Sequence, residues 1–234
     1  MKAFKNFYGK YIKASVYAAN DGIVTTFAVV ASVVGADLSA FVILILGFAN
    51  LIADGFSMAT GDYLGTKSES DHFRRERELE EQLFEQSQES ARKEVEQVLE
   101  NKGYSKQDSQ NLAEYVSKNK KFFLDFIIFE RLGYIPTSHQ DAIKSSLVTF
   151  MSFMVAGSMP LLPYIFWRHM NVSDIFIWAS LFVGFTLFVI GAVRTFFTDK
   201  KWWVGGLEML GAGGSAVLLA FIIGATLKRV IGLA

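Results

Sequence analysis

Five long stretches with few charged residues constrain this chain more than any other feature of its sequence. They cover roughly residues 15–36, 39–63, 143–167, 175–197 and 203–227. A helix that crosses a bilayer core of about 30 Å needs about 20 apolar residues, and each stretch is long enough. By contrast, 16 of the 23 acidic residues lie between positions 64 and 142. The sequence therefore predicts an all-α, polytopic integral membrane protein with five transmembrane helices.

Positively charged residues predict the orientation of these helices, because short cytoplasmic loops are enriched in Lys and Arg. Four lysines lie within residues 2–13, and Arg194, Lys200 and Lys201 lie around the connection between the fourth and fifth spans. We therefore expect a cytoplasmic N-terminus and a C-terminus on the opposite side. The chain has no cysteine, which excludes disulfides and thiolate metal sites.

The alternation of apolar and charged sequence predicts three parts. Residues 1–63 hold an N-terminal segment and transmembrane helices 1 and 2, residues 64–142 form a cytoplasmic Glu-rich helical domain, and residues 143–234 hold transmembrane helices 3–5. The short "GADLS" loop predicts that the first two spans form an antiparallel hairpin. The second span is expected to continue as helix beyond Tyr63, because strong helix formers follow it.

Local signals predict where several helices begin and end. Gly103 is expected to stop a helix, and Ser105 with Asp108 resembles a capping box that opens the next one. Pro160 and Pro163 are expected to break the third span near its outer end.

Acidic residues inside the predicted spans give the first indication of function. A carboxylate at the centre of a membrane helix costs about 2.5–3.5 kcal/mol, so such residues usually handle ions or protons. Asp21 and Met58 are both predicted at a depth of about 9 Å from the cytoplasmic side, with Asp54 about one turn deeper. No Lys or Arg is expected at matching depth. Two carboxylates and a thioether would suit Fe²⁺ or Mn²⁺, although Asp21 as a packing or capping residue and Met58 as a packing residue remain alternatives.

Glutamates dominate the predicted cytoplasmic domain and allow two interpretations. One is a solvated helical surface with ion pairs between residues four apart. The other is a cation site: if the chain reverses near Ser87, Glu80 and Glu94 face each other at equal height, with Glu76 one turn from Glu80. Converging carboxylates repel each other unless a cation or a proton lies between them. Glu130, beside the membrane, could complete such a site.

Three stretches resemble the vacuolar iron transporter family: "NDGIVTTFAVVASVVGA", "ADGFSMATGDYLGTKSESDH" and "MPLLPY". The resemblance implies a homodimer of five-helix subunits with the ion path between protomers and a Glu-rich cytoplasmic domain that collects metal. It also implies export of Fe²⁺, often with Mn²⁺, from the cytoplasm, with proton antiport in at least some members. The implied location is the cell (inner) membrane in a bacterium and the vacuolar membrane in a eukaryote. By position it assigns these metal-binding residues: Asp21 and Met58 in the membrane, with Asp54 as a possible substitute for a second-span Glu; Glu76, Glu80, Glu81, Glu94 and Glu130 in the domain.

The chain also departs from the family pattern at three places. Asn50 stands where plant-type members have the second-span Glu, and Ile127 and Ile128 stand where they have a pair of methionines. One acidic position of the first domain helix falls on or near Leu83. These differences leave the metal selectivity open.

A divalent metal exporter is the leading hypothesis, with a membrane-anchored interaction or assembly protein as the alternative. The alternative explains the charged helices but leaves Asp54 without a role. The chain lacks the "GxSxG" and "HExxH" motifs, and its three histidines are scattered, so no enzymatic activity is expected. The expected partners are divalent metal ions, the lipid bilayer and a second copy of the chain. No nucleic acid is expected as a partner, and Fe²⁺ or Mn²⁺ is a transported substrate rather than a permanently bound cofactor.

Overall fold

The computed structural model describes residues 2–133, 139–167, 169–195 and 200–231, and helices account for nearly all of them. The helices are α1 (Lys2–Gly35), α2 (Ala40–Gln86), α3 (Gln88–Asn101), α4 (Lys106–Ser117), α5 (Lys120–Leu132), α6 (His139–Ser158), α7 (Leu162–Phe166), α8 (Val172–Arg194) and α9 (Trp202–Ile231), with a 3-10 turn at Met159–Leu161. The prediction of an all-α chain is confirmed.

Four helical segments of the described chain are long and apolar enough to cross a membrane. They are Tyr11–Gly35, Ala40–Gln86, Asp141–Phe166 and Val172–Arg194. They coincide with the first four predicted spans. The fifth predicted span, 203–227, falls within α9, and its passage through the membrane stays a prediction.

The chain separates into two compact units, one of residues 1–63 and 143–234 and one of residues 64–142. In the first unit, helices from both ends of the chain share one apolar core. Its buried members include Ile23 of α1, Leu51 of α2, Phe153 of α6, Leu187 of α8 and Met209 of α9. Because α1 and α2 are joined by only four residues and contribute to the same core, the predicted hairpin is present.

Two prolines break the regular helix of the third span near its outer end, as predicted. Pro160 lies in the 3-10 turn that follows Ser158, and Pro163 lies in the first turn of α7. A proline has no backbone N–H to donate, so the regular α-helix of α6 gives way to the tighter turn at this point.

The second unit consists of the C-terminal part of α2 together with α3, α4 and α5. Phe84, Val95, Ala113, Phe123 and Ile127 are buried in its core. Ser87 separates α2 from α3, and its side chain accepts a hydrogen bond from the Ser90 N–H at 3.2 Å. The chain therefore reverses at Ser87.

The predicted helix stop and capping box are also present in this unit. Gly103 has a φ of 94°, a left-handed conformation that glycine adopts without strain. Ser105 caps α4 by accepting from the Asp108 N–H at 3.2 Å, and its hydroxyl donates to the Asp108 carboxylate at 2.6 Å.

Candidate metal sites

Asp21 lies on α1 at a point where this helix approaches α6 very closely. A β-carbon added to the next residue, Gly22, would lie 2.7 Å from the main-chain oxygen of Phe153 and 3.3 Å from the Cα of Gly157. Only glycine permits this approach, as is common between packed membrane helices. The backbone beside Asp21 is thus fixed against the backbone of α6.

Asp54 lies on α2 beside a second glycine that faces the same α6 residue. A β-carbon added to Gly55 would lie 3.2 Å from the ring of Phe153 and 3.3 Å from the sulfur of Met154. The Asp54 carboxylate accepts a hydrogen bond from the Asn50 side-chain amide at 2.8 Å. Asn50 therefore holds the orientation of this carboxylate.

The glycines that follow the two acids, Gly22 and Gly55, therefore contact the same residue of α6, Phe153. Among the side chains that the structure describes, neither acid forms a salt bridge with Lys or Arg. Met58 is partly buried and packs against the core of this unit, as does Met154. No spacing along the sequence places Phe153 or Met154 beside the two acids, because only the helix packing brings them together.

Two other acids in or near the predicted spans have hydrogen-bond or ion-pair partners that stabilise their carboxylates. The Asp62 carboxylate accepts a hydrogen bond from the buried Thr149 hydroxyl at 3.2 Å. Glu208 of α9 forms ion pairs with Arg194 at 2.5 Å and with Lys200 at 2.7 Å. Glu208 therefore differs from Asp21 and Asp54, since basic side chains offset its charge.

In the second unit, the reversal at Ser87 brings Glu80 and Glu94 to the same basic side chain. Both residues are seven positions from Ser87, so this agrees with the expectation that they lie at equal height. The Arg131 guanidinium of α5 donates one hydrogen bond to Glu80 and another, of 2.5 Å, to Glu94. Its Nη1 also lies 4.0 Å from a Glu76 oxygen. The cation between these carboxylates is thus a side chain of the protein.

Glu80 is the most enclosed member of this group, with 1% of its side chain exposed. One of its oxygens accepts from Arg131, while the other, Oε2, is buried with no hydrogen-bond partner among the described residues. A buried carboxylate oxygen without a donor is costly and makes Glu80 a ready ligand for a cation.

The two remaining predicted ligands also pair with basic residues. Glu81 lies 2.6 Å from Lys120, and Glu130 lies 2.8 Å from Lys102. Hydrogen bonds to Glu81 and Glu85 raise the pKa of Lys120 above its usual range. Within the described residues, no three acidic or histidine side chains converge as a metal site would require. The structure therefore presents these glutamates in ion-paired form.

Ile127 and Ile128, which stand where the family pattern has methionines, are each only 1% exposed and belong to the core of the second unit. At these positions the chain uses side chains for packing that have no atom able to bind a metal.

The chain closely matches proteins of one family over most of its length. The sequence model of the VIT family matches residues 12–225. The chain is 34% identical to a vacuolar iron transporter of Toxoplasma gondii, over 95% of this chain and 76% of that protein. It is 32% identical to one of Plasmodium berghei, over 93% and 82%, and 28% identical to vacuolar iron transporter 1 of Arabidopsis thaliana, over 92% and 85%. These relatives are named as transporters, in agreement with the expectation that the chain is not an enzyme. With its apolar helices and this match, the chain is an integral membrane protein of the VIT family.

Proposed function

We propose that this protein exports Fe²⁺ from the cytoplasm in exchange for protons, with Mn²⁺ as a second transported ion. The names of its relatives support iron as the substrate. The observation that carries the proposal is the pair Asp21 and Asp54, two acids on apolar helices, each followed by a glycine that contacts Phe153 of α6. The cytoplasmic N-terminus and the five-span topology belong to the same proposal.

The two carboxylates explain both ion binding and exchange. Together they carry a formal charge of −2, which one divalent cation or two protons would neutralise. Because the same oxygens would hold either the metal or the protons, loading with one displaces the other. Met58 adds a thioether, a softer ligand that favours Fe²⁺ over Mn²⁺.

The Glu-rich unit is proposed to collect metal on the cytoplasmic side before transport. Its ligands would come from the following residues: Glu76, Glu80, Glu81, Glu94 and Glu130. The buried, unpartnered oxygen of Glu80 supports this role, as does the convergence of Glu80 and Glu94 on a single cationic group.

A homodimer with the ion path between protomers completes the proposal. Large apolar side chains are exposed along one face of α2, at intervals of three or four residues: Phe41, Ile45, Phe48, Ile52 and Phe56. A dimer contact along this face of α2 would cover these exposed side chains.

Transport into liposomes tests the proposal. Purified protein should carry Fe²⁺ and Mn²⁺ into vesicles. Uptake should be faster when the vesicle interior is more acidic than the outside, because protons then leave as the metal enters. Asp21→Asn preserves the shape of the side chain but removes its charge, so transport should nearly vanish. The matched control is Asp174→Asn, which changes an acid at the start of α8 that bonds to Asn171; it should transport normally. Full transport by Asp21→Asn would refute the mechanism.

A further inference from the structure

One arginine of the second unit contacts three of its carboxylates. We use the name Arg131 cluster for this group, which consists of Arg131, Glu76, Glu80 and Glu94. The Arg131 side chain reaches residues 37 and 51 positions earlier in the chain, on α3 and α2. The cluster therefore joins three helices through one guanidinium group.

The cluster keeps a net negative charge even with the guanidinium in place. Three carboxylates carry −3 and the guanidinium carries +1, which leaves −2. The carboxylate of Glu80, which Arg131 binds through one oxygen, also retains a second oxygen that is buried and has no hydrogen-bond partner among the described residues. A cation with a preference for oxygen ligands would therefore find both net negative charge and a free ligand atom at Glu80.

A metal ion and the guanidinium cannot both occupy this position. Each Arg131 nitrogen that bonds a carboxylate uses an oxygen that the metal requires, and two cations a few ångströms apart repel each other strongly where water is scarce. About half of the Arg131 side chain is exposed (46%), so the guanidinium has a path to solvent.

We infer that Arg131 is a built-in competitor that sets the metal affinity of the Glu80–Glu94 site: a divalent ion binds by displacing the guanidinium, and the guanidinium returns when the ion leaves. This inference rests on the metal-collecting role proposed above and assigns the regulation of that site. Because the ion must replace an existing ion pair, its net affinity is lower than bare carboxylates would give. A site of lowered affinity fills only when cytoplasmic metal is abundant and passes the ion on readily.

Binding of Mn²⁺ to the full-length protein tests the inference. All variants carry Asp21→Asn, which suppresses binding in the membrane, and free Mn²⁺ is followed by electron paramagnetic resonance. Arg131→Gln should bind Mn²⁺ about tenfold more tightly or better, the factor that corresponds to losing one charge-assisted hydrogen bond in competition. Arg131→Lys, which keeps the charge but cannot bridge two carboxylates in the same way, should lie between Arg131→Gln and the parent.

The control is Arg92→Gln. Arg92 forms a 3.2 Å ion pair with Glu96 of the same helix, and neither residue is a proposed ligand. Its removal should leave the Mn²⁺ affinity unchanged. Equal or weaker affinity in Arg131→Gln than in the parent would overturn the inference. A double variant with Glu80→Gln and Glu94→Gln tests the site itself. If it binds Mn²⁺ as tightly as the parent, the proposed metal-collecting site is refuted.

A second measurement needs no change at position 131. Phenylglyoxal, a reagent that modifies arginine, is applied to the wild-type protein with and without Mn²⁺, and each arginine is followed by mass spectrometry. Displacement should increase the modification of Arg131 while that of Arg92 stays constant. If Mn²⁺ leaves the reactivity of Arg131 unchanged, the guanidinium is not displaced and the inference is wrong, even if Arg131→Gln fails to fold.

Discussion

Replacing Gly22 with alanine should weaken the contact that fixes α1 against α6. The new β-carbon would lie 2.7 Å from the Phe153 main-chain oxygen and 3.3 Å from the Gly157 Cα. Neither backbone atom can rotate away, so the helices must separate. Overpacking of this kind costs about 1–3 kcal/mol. Removing a helical glycine returns about 0.5–1 kcal/mol, so the difference spans about 0–2.5 kcal/mol. Because both close contacts are with backbone atoms, we expect a net loss in the upper part of that range, about 1–2 kcal/mol.

Two matched glycine variants make this reasoning testable. In Gly55→Ala, the nearest atoms belong to the side chains of Phe153 and Met154, at 3.2 and 3.3 Å, which can shift. Its stability should therefore change little. Gly61 has no atom within 4 Å of its added β-carbon, so Gly61→Ala should gain the helix-propensity benefit alone.

The assay is the thermal unfolding midpoint of the purified protein in detergent. For a chain of this size, 1–2 kcal/mol corresponds to a lowering of the midpoint by about 2–8 °C in Gly22→Ala. Transport by this variant should also fall, because Asp21 moves with the backbone of Gly22. If Gly22→Ala is as stable as Gly61→Ala, the close approach of α1 and α6 is absent and the reasoning is refuted.

Three further predictions use other parts of the chain. Met58→Leu keeps the volume but removes the sulfur, so Fe²⁺ transport into liposomes should fall severalfold and Mn²⁺ transport less; equal losses would exclude the thioether as a ligand. Cysteines introduced singly as Ser105→Cys and Gly232→Cys should react with impermeant reagents from opposite sides of the membrane, whereas labelling from one side would remove the five-span topology. In membranes, Ile52→Cys should form a disulfide-linked dimer, while Ile177→Cys, exposed on α8, should not; the reverse pattern would place the dimer contact elsewhere.

The helices could be predicted from the sequence because their signals are local. Runs of apolar residues, Gly103 as a stop, Ser105 as a cap and the prolines after Ser158 each act within a few positions of the structure they determine. The reversal at Ser87 likewise follows from its neighbours, and it brings Glu80 and Glu94 together as expected.

The partners of the candidate sites could not be predicted in the same way. Arg131 contacts residues on two other helices, and no spacing along the chain identifies it. The same holds for Phe153, which is more than 90 positions from both Asp21 and Asp54. Counting residues from the predicted ends of the spans gives approximate depths for the two acids, but it cannot identify the residue against which both helices pack. Such relations depend on tertiary packing.

Phe153 contacts Gly22 through its main chain and Gly55 through its side chain. Mutation of residue 153 therefore affects the two contacts differently. Gly22 meets its main-chain oxygen, an atom that every amino acid supplies at position 153, whereas Gly55 meets its ring. A substitution at position 153 therefore keeps the main-chain atom that meets Gly22 and changes the side-chain atoms that meet Gly55. Among descendants of this chain, the contact beside Asp54 can diverge through mutations at position 153, while the main-chain contact beside Asp21 is retained.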